Sequence, residues 1–554
     1  MANIKLNKKQ FEKEIGKLDE KMQEKISLFG TPVGTITDEE VELEVFPNRP
    51  DLLSYYGFKR AFLAYLGKKT GLRKYKINSP KKDYVVRIDS SVKEIRPFTA
   101  CAIVSGLKLN SEEIKDIIEL QERLHATIGR KRKKIAIGIY PLEEIKLPIT
   151  YMAFQPDKIK FTPLGAEKEM SGLEILEKHP VGKEYAPLLS GKSKFPIFVD
   201  SQKNILSMPP VINSALTGRV TEKTTSVFVE CSGFDFESLK KCLNILVTSL
   251  AEMGGEIYQM ELEYDRNKKQ ITPDLSAIKE KISLENANKL IGIKIDEKTL
   301  KNLLEKMGYE YSKGAVEIPA WRTDILHEVD LIEDVAIAYG YNNITPEIPE
   351  VATDGQEQKS EAIKRKIAEI LIGTNMMETS NYHLTNQRNQ FTLMGFKEKA
   401  NPECIKIESS KTDYNILRTD LSHYALKILS ENVDKEYPQR LFETGKVFAN
   451  KHKTEEEHLM VAVSPGNFTE LKQTLDYLFK MLDLKISVTE PDKIPLHFIK
   501  GRAAEIFLET KNKDSRKSIG FIGEIHPEIL KDWKIRMPVA ILEISLEEIF
   551  DLIK

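Results

Sequence analysis

The sequence predicts an α+β protein of several domains, and three features carry that prediction. The chain of 554 residues is about twice the length at which a single hydrophobic core stops growing. Its last third alternates helical patterns with closely spaced apolar runs, "RLFETGKVF", "LMVAVS", "AAEIFLE", "SIGFIGEI" and "VAILEIS". Runs so close leave little room for crossover helices, so they suggest an antiparallel sheet flanked by helices. Between residues 266 and 345, two or three short helices and a strand pair lie together in the pattern of a winged-helix-like module.

Residues 1–76 read as a small N-terminal α/β domain. A polar helix pattern precedes "EEVELEVFP", where Val41, Leu43 and Val45 alternate with Glu40, Glu42 and Glu44, the period of a half-buried strand. "NRPD" (48–51) breaks it, Ser54 can cap a helix carrying Phe58, Phe62 and Leu66, and Gly67 supplies a stop. "INSPKKD" (77–83) reads as a linker into a mixed α/β domain over 77–265. There the runs "YVVRI", "TACAIVSGL", "KIAIGIY", "KFPIFVD", "NILSM" and "SVFVEC" interleave with helical patterns such as Ile114, Ile117, Ile118 and Leu124. "LEYDRNKKQ" (262–270) leads out of it. In the 266–345 module Ser283 caps a short helix stopped by Gly292. Asp296 caps a second helix with Leu300, Leu303, Leu304 and Met307, "AVEIPAW" forms a strand, and a last helix starts near Glu328. The final domain covers 346–554, with helices expected over 358–372 and 468–482.

Composition narrows the classes. Lys+Arg at 83 against Asp+Glu at 84 leaves almost no net charge, so any nucleic-acid face must come from local clustering. No apolar run approaches the ~18 residues of a membrane span, and the N-terminus lacks the apolar core of a signal peptide. Cys101, Cys231, Cys242 and Cys404 are too far apart for a CxxC pair and read as reduced, mostly buried thiols of a cytoplasmic protein. Nucleotide-loop, dinucleotide-loop, zincin and serine-hydrolase elbow motifs are all missing, and the nine histidines are scattered.

"WRTDILHEVDLIEDVAIAYGY" gathers four acids in an apolar stretch. On a helix Asp330, Glu333 and Asp334 share one face, with Leu331, Ile332, Val335 and Tyr339 spread over the other. Asp324 lies upstream, at the end of the preceding strand, and reaches that face only through tertiary folding. Two accounts stand side by side. Acids in a first turn complement the helix dipole by about 0.3–1 kcal/mol, which offsets a repulsion of ~0.2–0.5 kcal/mol per pair. Alternatively the acids hold a hard, oxygen-ligated cation, Mg²⁺ for preference.

Five stretches occur in one order along nearly the whole chain: "NRPDLLSYYGFKRAFLAYLG", "SMPPVINS", "WRTDILHEVDLIEDVAIAYGY", "RLFETGKVF" and "GFIGEIHPEIL". In them the sequence resembles the beta-subunit family of phenylalanine–tRNA ligases of the archaeal/eukaryotic type, most specifically over 321–341. Neither the extra N-terminal tRNA-binding insert nor the C-terminal anticodon-binding domain of bacterial relatives is expected. The resemblance implies that Asp324, Asp330, Glu333 and Asp334 are magnesium ligands in a site shared with an alpha subunit. It implies a heterotetramer of two alpha and two beta subunits that joins L-phenylalanine to its tRNA with ATP and Mg²⁺. The alpha subunit would carry out the synthesis. The last domain would be a degenerate class II synthetase-like fold without the ATP-binding signatures, in which Arg418 is a structural or interface residue.

The resemblance also makes 77–265 an editing domain that hydrolyses tyrosine wrongly attached to the phenylalanine tRNA. Ser207 would lie on the strand entering its pocket, Glu230 on the facing strand and Ser232 beside it. Glu230 is the expected acceptor for the tyrosine hydroxyl, and the two serines would orient the ester or a water. A polar pocket of this kind can discriminate by ~10⁴–10⁵ where an apolar one cannot. The sequence departs from the family's usual "TGTD" with "SGFD" (232–235), which brings bulkier Phe234 beside the pocket. Glu230 as a merely solvated strand residue is the plain alternative. "GRKRKKIAIGIY" concentrates Arg130, Lys131, Arg132, Lys133 and Lys134, either a solvated turn or a set of tRNA phosphate contacts. Two other functions stay open: a purely structural subunit with a decayed pocket, and a stand-alone nucleic-acid-binding protein. No strongly basic recognition helix in 271–345 favours the latter.

Overall fold

The computed structural model describes residues 2–264, 268–350, 354–396, 404–450, 454–509 and 516–553, in two units, Met1–Ile348 and Pro349–Lys554. The alternation at the N-terminus becomes the middle strand Glu40–Val45 of an antiparallel sheet, between Ala2–Asn7 and Val33–Ile36. Val41, Leu43 and Val45 are buried and the intervening glutamates are not. The helix Tyr55–Tyr65 follows, with the Ser54 hydroxyl accepting from the Gly57 N–H at 3.0 Å and Phe58 and Phe62 fully buried.

The central part is a mixed α/β assembly, as expected, with eleven strands among the described residues. Ser226–Gly233 pairs antiparallel with Phe98–Ser105 on one side and Ile135–Pro141 on the other. Pleating sends Val227, Val229 and Cys231 into one core with Leu239, Leu243 and Leu246 of the helix Phe236–Glu252. Phe228, Glu230 and Ser232 therefore face the opposite side, where Phe228 packs with Tyr140, Tyr151 and Phe198. Two expectations need correction here. In the presumed linker, Ile77–Asn78 pairs parallel with Glu256–Tyr264, and the Asn78 amide donates to the Ile257 carbonyl at 3.2 Å. "LEYDRNKKQ" does not simply lead out, because Glu256–Tyr264 and Lys268–Thr272 pair antiparallel.

In the 266–345 segment, Leu284–Ile291 is capped by Ser283 and ends at Gly292 with φ +78°, and Glu297–Lys306 is capped by Asp296. The sheet has three strands rather than two, Ile278–Lys281, Ala315–Ile318 and Glu310–Ser312. One buried core runs from Ile4 through Phe58, Val229 and Leu304 to Ala338, so the N-terminal, central and third segments are packed as one body.

The second unit carries a seven-stranded sheet, antiparallel except where Met377–Glu378 lies parallel to Gln439–Phe448 at one edge. Lys359–Ile372 and Phe468–Met481 pack on one face and Ser422–Glu431 on the other. Arg418 is buried and structural. Its guanidinium donates to Glu443 at 2.7 Å and to the Lys446 carbonyl at 2.7 Å. Among the described residues no helix is long and apolar enough to cross a membrane.

Candidate functional site

Glu230 is 2 % exposed, an unusual place for a carboxyl group. It forms the floor of a cavity of about 500 Å³ together with Ser207. The helix Ser111–Ala126, the strand Ile135–Pro141 and the segment 209–220 form the walls. Tyr140 donates its hydroxyl to Glu230 Oε1 at 3.3 Å, whereas Glu230 Oε2 and Ser207 Oγ are buried with no hydrogen-bond partner. Burial pushes the Glu230 carboxyl up to about 8, only partly opposed by the Arg96 charge and by the Tyr140 and Ser232 hydroxyls. Near neutral pH the group is therefore mostly protonated and can donate as well as accept.

Tyr140 was not singled out in the sequence, although a signal for it exists. Gly138 stands opposite Glu230 in the strand pair, and a Cβ there would lie 2.1 Å from the Tyr140 hydroxyl. The missing side chain leaves room for the phenol to lie across Gly138 toward Glu230. The Tyr140 ring is also stacked on Phe228, with centroids 5.7 Å apart.

Ser232 is held differently from Ser207. Its hydroxyl accepts from Arg96 Nε at 3.2 Å and its carbonyl from Arg96 Nη2 at 2.7 Å, and it lies off the lining of the cavity. Phe234 of "SGFD" also stays away from the cavity. It is 53 % exposed, with the Arg96 guanidinium 5.3 Å from its ring.

The basic run divides in two. Arg130, Lys131, Lys133 and Lys134 are exposed, but Arg132 turns inward. Arg130, Lys131 and Arg132 have φ of +47°, +52° and +64°, a left-handed turn that costs roughly 1–2 kcal/mol per residue. The turn lets Arg132 donate to the Val211 carbonyl at 2.9 Å and to Glu122 at 3.0 Å, with its guanidinium 4.3 Å over Tyr185. Arg132 thus clamps the cavity's lip and is not a free phosphate contact. Beside it, buried His125 accepts the Ile137 N–H on Nε2, leaving Nδ1–H to face Glu122 at 3.2 Å. Burial holds the His125 pKa below its ordinary value.

The wall helix Ser111–Ala126 is itself anchored from the N-terminal segment. Arg123 donates to the Leu53 carbonyl at 3.0 Å, Asp116 accepts the Tyr55 N–H at 3.0 Å, and Glu113 accepts from the Tyr56 hydroxyl at 2.6 Å.

The four acids expected to bind magnesium do not converge. Arg322, 4 % exposed, grips Asp324 through Nε at 2.9 Å and Nη2 at 2.7 Å, and the same Nη2 reaches Asp334 at 2.7 Å. Tyr309 also donates to Asp334. Asp330 is the N3 partner in the capping box of Glu328–Tyr339, accepting the N–H groups of Leu326 and of the N-cap residue His327 at 2.7 and 2.8 Å. Glu333 is exposed, its carboxyl raised by partial burial and by the neighbouring charges of Asp334, Asp330 and Asp324. Against the desolvation of burial, the Arg322 charge holds Asp324 below the usual carboxylate range. Among the described residues no three His, Cys, Asp or Glu side chains gather as a metal would require. The donor set as arranged does not fit a magnesium ion, and the cation that balances two of the acids is an arginine.

Residues 280–341 match the model of the tRNA synthetase B5 domain, and residues 344–546 that of the phenylalanyl tRNA synthetase beta chain CLM domain. The chain is 40 % identical over 515 residues to a phenylalanine–tRNA ligase beta subunit of Thermococcus sibiricus, covering 91 % of this chain and 90 % of that one. It is 37 % identical over 532 residues to the Archaeoglobus fulgidus beta subunit, covering 95 % of each. The crystal structure of an N-terminal fragment of the phenylalanyl-tRNA synthetase beta subunit from Pyrococcus horikoshii superposes with TM-score 0.58 at 38 % identity. It covers 61 % of this chain and all of the fragment.

Proposed function

Because the chain belongs to the phenylalanine–tRNA ligase beta-subunit family, we propose that its cavity is a hydrolytic editing site that clears tyrosine from mischarged phenylalanine tRNA. The observation that carries this reading is the pair of unpartnered buried oxygens, Glu230 Oε2 and Ser207 Oγ, on the floor of the cavity. A buried polar atom without a partner costs about 1–3 kcal/mol. A tyrosine side chain whose hydroxyl bonds to Glu230 Oε2 relieves that cost, whereas phenylalanine leaves it in place. The difference in side-chain chemistry becomes a difference in occupancy. With its carboxyl mostly protonated, Glu230 can accept a hydrogen bond from the phenol O–H on its carbonyl oxygen or donate one from its own O–H to the phenol oxygen. Ser207 orients the ester or the attacking water. Tyr140, Arg132 and His125 hold the floor and lip in shape, and Ser232 with Arg96 fixes the strand behind Glu230.

The chain is a subunit of an aminoacyl-tRNA ligase, an enzyme class that uses ATP and magnesium. In our reading it works in a heterotetramer of two alpha and two beta subunits. The alpha subunit makes the phenylalanyl-adenylate, and this chain scaffolds, binds tRNA and edits. No step is routed through a metal at Asp324, Asp330, Glu333 and Asp334.

Hydrolysis of tyrosyl-tRNA(Phe) by the assembled enzyme tests the reading. Glu230→Ala should slow deacylation by about 10–200-fold, the worth of 1–3 kcal/mol, and leave aminoacylation with phenylalanine intact. Equal deacylation by wild type and variant would overturn the editing reading and leave a structural subunit.

A further inference from the structure

A second cavity, of about 280 Å³, opens between the helix Tyr55–Tyr65, residues 69–73 and the segment around Trp321. Its lining is strongly cationic: Arg49, Lys59, Arg60, Lys69, Arg73 and Arg322 face only Asp51 and Glu252. Four of the six have carboxylate partners. Arg49 is bonded to Asp51 at 2.9 Å, Lys59 to Glu14 at 2.7 Å, Arg73 to Glu252 at 3.4 Å, and Arg322 to the two aspartates described above. Arg60 and Lys69 have no carboxylate partner among the described residues.

Arg60 is held in place without being neutralised. Its Nη1 donates to the Tyr75 hydroxyl at 3.0 Å and its guanidinium lies 4.2 Å from the Trp321 ring. Arg60 Nε and Nη2 are buried without an acceptor, and so is Nη1 of the buried Arg322. Guanidinium N–H groups withheld from both water and an acceptor lose hydrogen bonds that a charged group keeps when it is exposed. The two arginines that carry these three donors line one cavity together with Lys69.

We propose that this cavity binds a phosphate group in its dianionic form, that of inorganic phosphate or a phosphate monoester. A tetrahedral phosphate presents enough acceptor oxygens for the two guanidinium groups and the ammonium together, and guanidinium forks match its oxygen spacing. Its charge of about −2 balances Arg60 and Lys69, where a carboxylate would leave one cation and several donors unmet. The Trp321 face is already covered by Arg60, and Tyr75 packs edge-on at 5.3 Å, so no aromatic surface remains for a base. The site takes the phosphate and not a nucleobase. Within a tRNA ligase this chemistry is offered by free phosphate and small phosphate monoesters such as AMP on one side and by the 5′-terminal phosphate of tRNA on the other.

The test uses the assembled complex of this chain with its alpha subunit, titrated with inorganic phosphate at constant ionic strength and followed by phosphorus NMR linewidth. Saturable binding is expected. Arg60→Gln, which keeps a donor for Tyr75, and the Lys69→Ala/Arg73→Ala pair on exposed side chains should each weaken it by about tenfold or more. Thermal melting of each variant checks that it is folded. A second arm measures binding of tRNA with and without its 5′-phosphate. If the tRNA end is the source, removing that phosphate and making the paired substitution weaken binding by similar, non-additive factors. If free phosphate is the source, tRNA affinity is unchanged while phosphate binding still falls. Absence of saturable phosphate binding, or binding that neither variant weakens, overturns the proposal.

Discussion

Replacing Arg322 with methionine keeps much of the side-chain volume and removes the charge that two carboxylates share. In the wild type, three bonds of 2.7–2.9 Å tie that guanidinium to Asp324 and Asp334, whose side chains are 10 % and 6 % exposed. Breaking a buried pair by deleting one partner costs about 3–5 kcal/mol, because the remaining charge stays desolvated. Here two acids lose their counter-ion at once, so the upper part of that range is expected. Urea unfolding of the full chain, read by Trp321 fluorescence in a Trp533→Phe background, should move to lower denaturant by roughly 1.5 M for a slope of about 3 kcal/mol per M. Repeating the measurement in magnesium and in EDTA separates the two possible counter-ions. A loss below about 1 kcal/mol, or a wild type stabilised by magnesium as strongly as the variant is weakened, would refute arginine as the balancing cation.

The pocket and its neighbourhood supply two more tests. A carboxyl whose folded pKa is raised destabilises the fold as pH climbs, beginning at the unfolded value near 4.5 and complete above about 8. Glu230→Gln should therefore be more stable than wild type at pH 9, by up to about 5 kcal/mol, and indistinguishable below about pH 4; a pH-independent difference in melting would contradict the burial argument. Changing Arg130, Lys131 and Lys133 together to alanine should lower the salt slope of tRNA binding by about 0.7–0.9 for each phosphate that is no longer neutralised. An unchanged slope in filter binding marks the turn as merely solvated.

Much of the framework was readable because it rests on local rules. Val41, Leu43 and Val45 announce a strand by alternation, and Ser283, Asp296 and Gly292 announce helix ends through their own backbone bonds. Glu230 and Ser207 were reachable through family likeness, but their unpartnered oxygens depend on tertiary packing that no spacing encodes. The inward direction of Arg132 was not legible, because charge density in a run says nothing about direction, which three left-handed residues decide. The arginine that pairs with two of the acids was hidden for a different reason. Their counter-ion stood two positions before Asp324, in "WRTD", where a carboxylate-centred search passes over an arginine. The resemblance named candidate residues but not the partners each one meets.

The anchoring of Ser111–Ala126 has a wider consequence. Leu53, Tyr55 and Tyr56 stand outside the cavity's lining yet grip one of its walls. Width, and hence tolerance for one amino acid over another, can drift through mutations that never meet a substrate. A transplant of the central segment into another scaffold would have to bring its distant fastening along, or accept a different selectivity.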